Sequence, residues 1–334
     1  MALPVNNDNP PFHVTRTSHA VWTVGDLDAS EAFYTQVIGL VVTARERDTL
    51  YLRGLEEICH HSLVLKKSAD APRCERIGLR VWNDVDLDKA HAHFSKAGLA
   101  PRFVEVAHQG RTLHVNDPLG TALEFCASMP TVERKLTTFH EHLGGCAQRF
   151  DHYQLLMPDI EAAGKFYVEG LGFRLSEYMV DATEKLMALF IQRKGNPHDI
   201  AIMYGKGPRI HHVAYTTVDV HTLIRACDVA GSLGYGKKVE RGPQRHGPGH
   251  ALFVYFRDPD GHRVELFNTH YLTLDIENAP ARWDPTNIHK NLPWGLPAQR
   301  SWYEEATGFA GVPTLDPPVK PNPLTLERYL MERS

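Results

Sequence analysis

The chain has 334 residues, 43% of them hydrophobic and 23% charged, which suits a globular protein with room for two domains. A net charge of -4 sets aside nucleic acid as a partner. No apolar run approaches the roughly 20 residues that span a bilayer, the opening residues MALPVNNDNPPFHVTR carry no signal-peptide core, and the five cysteines form no CxxC pair, so a cytoplasmic protein with no membrane partner is expected.

Residues 1–15 read as a loose arm rich in Asn and Pro. Next, 18-SHAVWTVGDLDASEAFYTQVIGL-40 predicts a strand, an acidic cap and a helix closing at glycine. The later stretch 151-DHYQLLMPDIEAAGKFYVEGLGF-173 lies over it without a gap, matching His19 to His152, Asp26 to Asp159, Phe33 to Phe166, Tyr34 to Tyr167 and Gly39 to Gly172. The motif 76-RIGLRVW-82 is matched to 209-RIHHVAY-215, and helices are expected near 84–97 and 219–231. Two hairpins complete the repeat, 113-LHVNDPLGTALEFC-126 and 252-LFVYFRDPDGHRVELF-267, each turning at Asp-Pro followed by Gly. The chain therefore holds two copies of a unit of roughly 115 residues. The expected fold class is α+β, with two domains of βαβββ units over 16–127 and 150–270 joined by 128–149. The tail, 271–334, holds nine of the 22 prolines with Trp283, Trp294 and Trp302, and is expected to wrap back over the mouth of a site.

Glu124 and Glu265 stand at the same offset from their turns, seven residues after Asp117 and Asp258. In a strand Glu265 shares a face with Phe267, and an inward carboxylate is costly unless it is paired or holds a metal. The second copy also carries His152 and His212, 60 residues apart; 60 residues beyond His19 the first copy has Leu79, read here as the replacement for a ligand. Two imidazoles and a carboxylate make the facial set typical of non-haem Fe(II), and Mn(II) satisfies the same donors. Fe(II) with two neutral histidines and one glutamate retains a charge of +1, which a monoanionic ligand neutralises. The histidines at 60–61, 91 and 93, and 140 and 142 have no aligned partners and are read as surface or loop residues.

On these residues, with 193-RKGNPHD-199 and 240-ERGPQRHG-247, the second copy resembles the catalytic domain of the type I extradiol ring-cleaving dioxygenases of the vicinal oxygen chelate superfamily, nearest the homoprotocatechuate 2,3-dioxygenase and catechol 2,3-dioxygenase branch. The resemblance runs through about 150–305. It implies two tandem glyoxalase-like domains and ring opening of a catechol by O₂ next to its diol, giving a 2-hydroxymuconic semialdehyde-type product in aromatic catabolism. It makes His198 the acid–base group beside O₂, and His246 and Tyr255 hydrogen-bond donors to the substrate hydroxyls. Gln154, where close relatives carry Asn, and Phe190, Arg241 and Lys290 would line the substrate. The family's pair of tail arginines is reduced here to Lys290 in 288-IHKN-291, so a small, neutral or halogenated catechol is expected over one with an acetate arm. Relatives are commonly homotetramers, and that assembly is expected here. The competing readings are a metal-dependent isomerase or transferase, whose ligands come from two modules, and a metal-free binding protein, which lacks a triad.

Overall fold

The computed structural model describes residues 2–284 and 287–332. The first repeat runs β1 (Val14–Val24), α1 (Leu27–Phe33), β2 (Val41–Arg45), β3 (Thr49–Arg53), β4 (Leu63–Lys67), β5 (Cys74–Val81), α2 (Asp84–Lys96), β6 (Arg102–Val104), β7 (Thr112–Asn116) and β8 (Ala122–Cys126). The second runs β9 (Arg149–Met157), α3 (Ile160–Gly164), β10 (Arg174–Val180), β11 (Leu186–Gln192), β12 (Ile200–Tyr204), β13 (Arg209–Thr216), α4 (Val220–Ser232), β14 (Val239–Arg245), β15 (Leu252–Arg257) and β16 (Arg263–Asn268). The first sheet has the order β2-β3-β4-β1-β5-β8-β7-β6, and the second follows the same path as β10-β11-β12-β9-β13-β16-β15-β14. The α+β duplication read from the sequence is thus present in three dimensions.

Short polar signals start and stop these elements. Asp26 accepts the N–H groups of Asp28 and Ala29, and Asp159 that of Ala162, so both first helices begin at an aspartate cap. Both continue as a wider π-type turn, Tyr34–Ile38 and Lys165–Gly170, and leave through glycines at φ 83° and 72°. In the hairpins the Asp117 carboxylate accepts the N–H groups of Leu119 and Thr121, while that of Asp258 accepts those of Asp260 and His262.

Those same aspartates join the two repeats. Tyr34 donates to Asp258 Oδ2 at 3.0 Å, and its counterpart Tyr167 donates to Asp117 Oδ2 at 2.9 Å. Each helix therefore satisfies the turn of the other module. All four side chains are buried, and removing any one leaves a buried polar partner unpaired. A continuous core containing Phe33, Val37, Ile77, Leu79, Phe125, Tyr153, Leu155, Val213 and Tyr215 runs between the sheets.

Strand register corrects one sequence expectation. His19 pairs with Gly78 and Val21 with Arg76 across β1 and β5, just as His152 pairs with Ala214 and Gln154 with His212 across β9 and β13. The residue in the place of His212 is therefore Arg76, not Leu79. Leu79 is fully buried on the opposite, core-facing side of β5. The matched Arg-Ile pairs misled by three residues, and an odd shift turns every side chain to the other face.

The tail adds β17 (Ala281–Trp283), α5 (Ile288–Asn291), α6 (Arg300–Glu304), β18 (Thr307–Gly308) and α7 (Leu326–Met331). β17 extends the second sheet parallel to β10, and β18 pairs with β13. Trp302 of α6 joins Ala214, Phe253, Tyr255 and Phe267 in one apolar cluster, so the tail covers the face of the second sheet that carries Tyr255 and Phe267.

Candidate metal centre

His152, His212 and Glu265 project from the adjacent strands β9, β13 and β16. Their donor atoms all lie within 4.8 Å of one another, and the residues are 2%, 2% and 1% exposed. His152 Nε2 is 3.2 Å and His212 Nε2 3.1 Å from Glu265 Oε2. Glu265 Oε1 and His212 Nε2 are nonetheless buried without a well-directed hydrogen bond. Three donors that converge yet leave lone pairs unsatisfied fit a divalent cation, which would remove the cost of burying the carboxylate.

Two residues beside the ligands set their tautomers. Asp151 Oδ2 lies 2.9 Å from His152 Nδ1, so Nδ1 carries the proton and Nε2 turns its lone pair to the site. His211 Nε2 donates to Trp302 O at 2.7 Å, which leaves its Nδ1 as acceptor for His212 Nδ1–H at 2.8 Å. His212 Nε2 is again left bare. Both Asp151 and His211 are the extra residues of β-bulges: the register passes from Ala214/His152 to Tyr215/Phe150, and from Ile210/Leu155 to His212/Gln154. A bulge re-aims a side chain that regular alternation would send to the other face, so period-two reading missed both. Their signal in the sequence was adjacency alone, Asp-His and His-His.

Burial pushes the His212 imidazole down to about 4, which keeps it neutral as a ligand must be. Burial opposes ionisation of Glu265, but the imidazoles of His152, His212 and His246 close beside it outweigh that and hold the carboxyl well below its usual range. For His152 burial is likewise outweighed, here by Asp151 and Glu265, and its value is raised.

The other expected residues lie around this centre. His198 is 3% exposed with its ring 4.3 Å from that of His152 and 5.3 Å from Phe190, and its Nδ1 has no partner. Tyr255 faces Glu265 across β15 and β16, with its ring 5.1 Å from His212. His246 Nε2 is 3.8 Å from Glu265 Oε1, and its ring stacks on Phe253 at 4.8 Å. Gln154 is buried opposite His212. Arg241 lies over the rings of Phe253 and Trp302, 5.0 and 4.4 Å from their centroids. Lys290 stands apart: its backbone abuts Gly247 of the His246 loop, but its side chain is exposed.

His270 was not foreseen. With His152 and His198 it forms a second converging trio, its ring 4.8 Å from that of His198. That trio has no carboxylate, so the set with Glu265 better balances a dication. The adjacent histidines 60 and 61 are loop residues, between β3 and β4, but not surface ones: they are 7% and 0% exposed, and the His61 ring packs edge-on against His19 at 5.3 Å.

Residues 16–125 and 149–266 match the Glyoxalase/Bleomycin resistance protein/Dioxygenase superfamily. The chain belongs to this superfamily, among its type I extradiol ring-cleaving dioxygenases. It is 28% identical over 302 residues to a metapyrocatechase of Geobacillus stearothermophilus, covering 86% of this chain and 90% of that protein. To a manganese-dependent 2,3-dihydroxybiphenyl 1,2-dioxygenase of Geobacillus genomosp. 3 it is 25% identical, covering 86% and 95%. A solved variant of homoprotocatechuate 2,3-dioxygenase from B. fuscum superposes with a TM-score of 0.89 at 34% identity, covering 94% of this chain and 89% of that one.

Proposed function

We infer that the protein cleaves the ring of a catechol with O₂ on the outer side of the diol, at a site built from His152, His212 and Glu265. The observation that carries this reading is the convergence of two neutral-capable imidazoles and one buried carboxylate, with Glu265 Oε1 and His212 Nε2 left without a hydrogen-bond partner. These three would hold Fe(II), or Mn(II), which share the same donor preference. When bound, the metal brings catecholate and O₂ into contact and lets electron density pass between them. Both oxygen atoms enter the product, a 2-hydroxymuconic semialdehyde, so no external reductant is needed.

The chain's own groups supply orientation and protons. Glu265 contributes the single negative charge that leaves room for a monoanionic catecholate. Tyr255, whose phenol is held protonated by burial and by Glu265, donates to the substrate oxygens from one side, and His246 donates from the other. His198 is kept neutral by burial and by the neighbouring His152 and His270, so it accepts the remaining catechol proton and returns it during ring opening. Phe190 and Trp302 keep the pocket apolar, while the Gln154 amide faces the O₂ side.

The substrate is a catechol with a small, neutral or halogenated substituent. Arg241 remains as a cation, but Lys290 is exposed, and a mobile ammonium holds a carboxylate less firmly than a guanidinium fork. The isomerase or transferase reading has less support, because one module alone assembles the ligand set. A cytoplasmic location suits five free cysteines, and a homotetramer suits the exposed stripe Leu272, Leu274 and Ile276, which sedimentation velocity tests.

The deciding experiment loads the protein anaerobically with Fe(II), adds a catechol and admits air. Mole-for-mole O₂ uptake and yellow ring-opened product, abolished in His212→Ala, is the expected result. Iron bound but no uptake across catechol, methylcatechols and chlorocatechols would overturn the assignment.

A further inference from the structure

The loop 193–199, which carries His198, is tied to the first module by a buried polar network. Asp199 is fully buried beside His198. Its Oδ2 accepts the N–H groups of Arg193 at 2.5 Å and Lys194 at 3.1 Å, closing the loop on itself. Its Oδ1 accepts the N–H of Thr17 at 3.2 Å and lies 3.4 Å from the Thr17 hydroxyl. The Thr17 hydroxyl also donates to Asp151 O at 2.8 Å. The Lys194 ammonium sits 2.9 Å from Asp199 Oδ1 and 3.7 Å from Asp151 Oδ1, bridging the two carboxylates. Asn196, in the same loop, donates to both oxygens of Asp151 at 3.0 and 3.1 Å. Arg193 Nε adds a second tie to β1 by donating to Val14 O at 2.7 Å.

One strand of the first module thus touches both the residue that orients His152 and the loop that presents His198. We propose that Thr17, Lys194 and Asp199 are positioning residues, through which the metal-free first module sets the place of the acid–base histidine. The proposal rests on the reading of His198 given above. It explains what the first module contributes to chemistry carried out entirely by residues of the second. Fixing a group to within an ångström matters because a displacement of that size costs up to about a hundredfold in rate. A buried network of this kind loosens when one of its hydrogen bonds is removed.

The test is Thr17→Val, which keeps the volume and removes the hydroxyl, with Thr17→Ser as the conservative control and Asp199→Asn as the stronger lesion. Amide hydrogen exchange across 193–199 is followed in the metal-free protein, which needs no activity. The ratio of ring-opened product to O₂ consumed is then followed in the Fe(II)-loaded protein. In Thr17→Val, exchange in 193–199 is expected to rise about tenfold, the scale of one lost buried hydrogen bond. Turnover falls about tenfold, catechol KM stays within about twofold, and product per O₂ drops below one because the proton arrives late. Thr17→Ser restores exchange, turnover and product ratio. An unchanged product ratio in Thr17→Val overturns the proposal, whether or not exchange in 193–199 rises and whether or not Asp199→Asn folds. His198→Ala is run beside them: if it stays fully coupled, the acid–base reading falls and the catalytic half of the proposal with it. If it uncouples while Thr17→Val does not, only the positioning role falls.

Discussion

The two modules place a histidine and a glutamate at the ends of the same three-strand row, His19–Gly78–Glu124 in one and His152–Ala214–Glu265 in the other. In the first, any side chain at Gly78 would overlap the His19 ring, which lies across the strand to meet Glu124 Oε1 at 2.7 Å. Gln109 donates to that same oxygen at 2.7 Å, and His114, in the place of Tyr255, is 2.5 Å from Oε2. The carboxylate is saturated. In the second, Ala214 stands beneath, both imidazole contacts to Glu265 exceed 3 Å, and one oxygen is left without a directed partner. A shared backbone row is therefore a closed hydrogen-bonded cluster or an open ligand set, according to a handful of side chains. The closed cluster stabilises by itself; the open set is costly until a cation enters.

Replacing each glutamate by glutamine breaks or sharpens that contrast most directly. Glu265→Gln should lose bound metal and about a thousandfold in kcat/KM, the several kcal/mol a catalytic metal supplies. Glu124→Gln should keep metal content and activity within about twofold, while costing about 2 kcal/mol of stability because buried donors lose a charged acceptor. Metal analysis, turnover and urea melts of the pair decide the matter. Equal loss of activity from both would mean that the first row is a working site.

The bulge residues provide the next effect. His211→Leu removes the acceptor that fixes the His212 tautomer, and metal affinity should fall about 10–100-fold by competitive chelator titration. Glu75, which occupies the matching bulge in the first module, is half-exposed and pairs with Lys66 at 2.6 Å. Glu75→Leu should leave metal affinity unchanged and stability within about 0.5 kcal/mol.

What the sequence disclosed follows from which signals are local. Caps, hairpin turns and the offset from turn to glutamate repeat residue by residue, so the duplicated fold could be read directly, and His152, His212 and Glu265, named as candidate ligands, do converge. Register is not local. The bulges that insert Ser18 and Glu75, or Asp151 and His211, lie between pairs that only the folded sheet defines. Leu79 was therefore mistaken for the lost ligand, and Asp151 and His211 passed unseen. His270 follows β16, just after Thr269 at φ 62°, so no periodicity points to it. The burial of the loop histidines 60 and 61 escaped notice because two of their packing partners, His19 and His108, are distant in sequence.

Substrate choice gives a smaller and more conditional contrast, since it depends on Lys290 in the tail that follows the second module. Lys290→Arg should raise kcat/KM for an acetate-bearing catechol by about tenfold, about 1.4 kcal/mol, as a fork replaces a single ammonium. Values for unsubstituted catechol should not move. If wild-type protein already prefers the acetate-bearing substrate by a wide margin, Arg241 alone suffices as the anion contact.

The closed state of the first cluster also has a pH signature. Burial, then the neighbouring His19 and His60, push His61 from an ordinary 6.5 down to about 2, with Glu124 opposing. Between those values the unfolded chain binds one more proton at this residue than the folded one. Stability therefore rises with pH through this window, and is lost on acidification below 6.5 at about 1.4 kcal/mol per pH unit. Other buried histidines add to the slope of the wild type, so the informative quantity is the difference from His61→Phe, which keeps an aromatic ring against His19 and Tyr51. Melts at pH 7, 6 and 5 should show the variant losing less stability on acidification, by about that amount per unit. Coincident slopes would mean that His61 carries its charge in the folded protein. That charge could reside there only if the cluster around Glu124 opened to admit water, and the contrast between a closed first row and an open second one would then be lost.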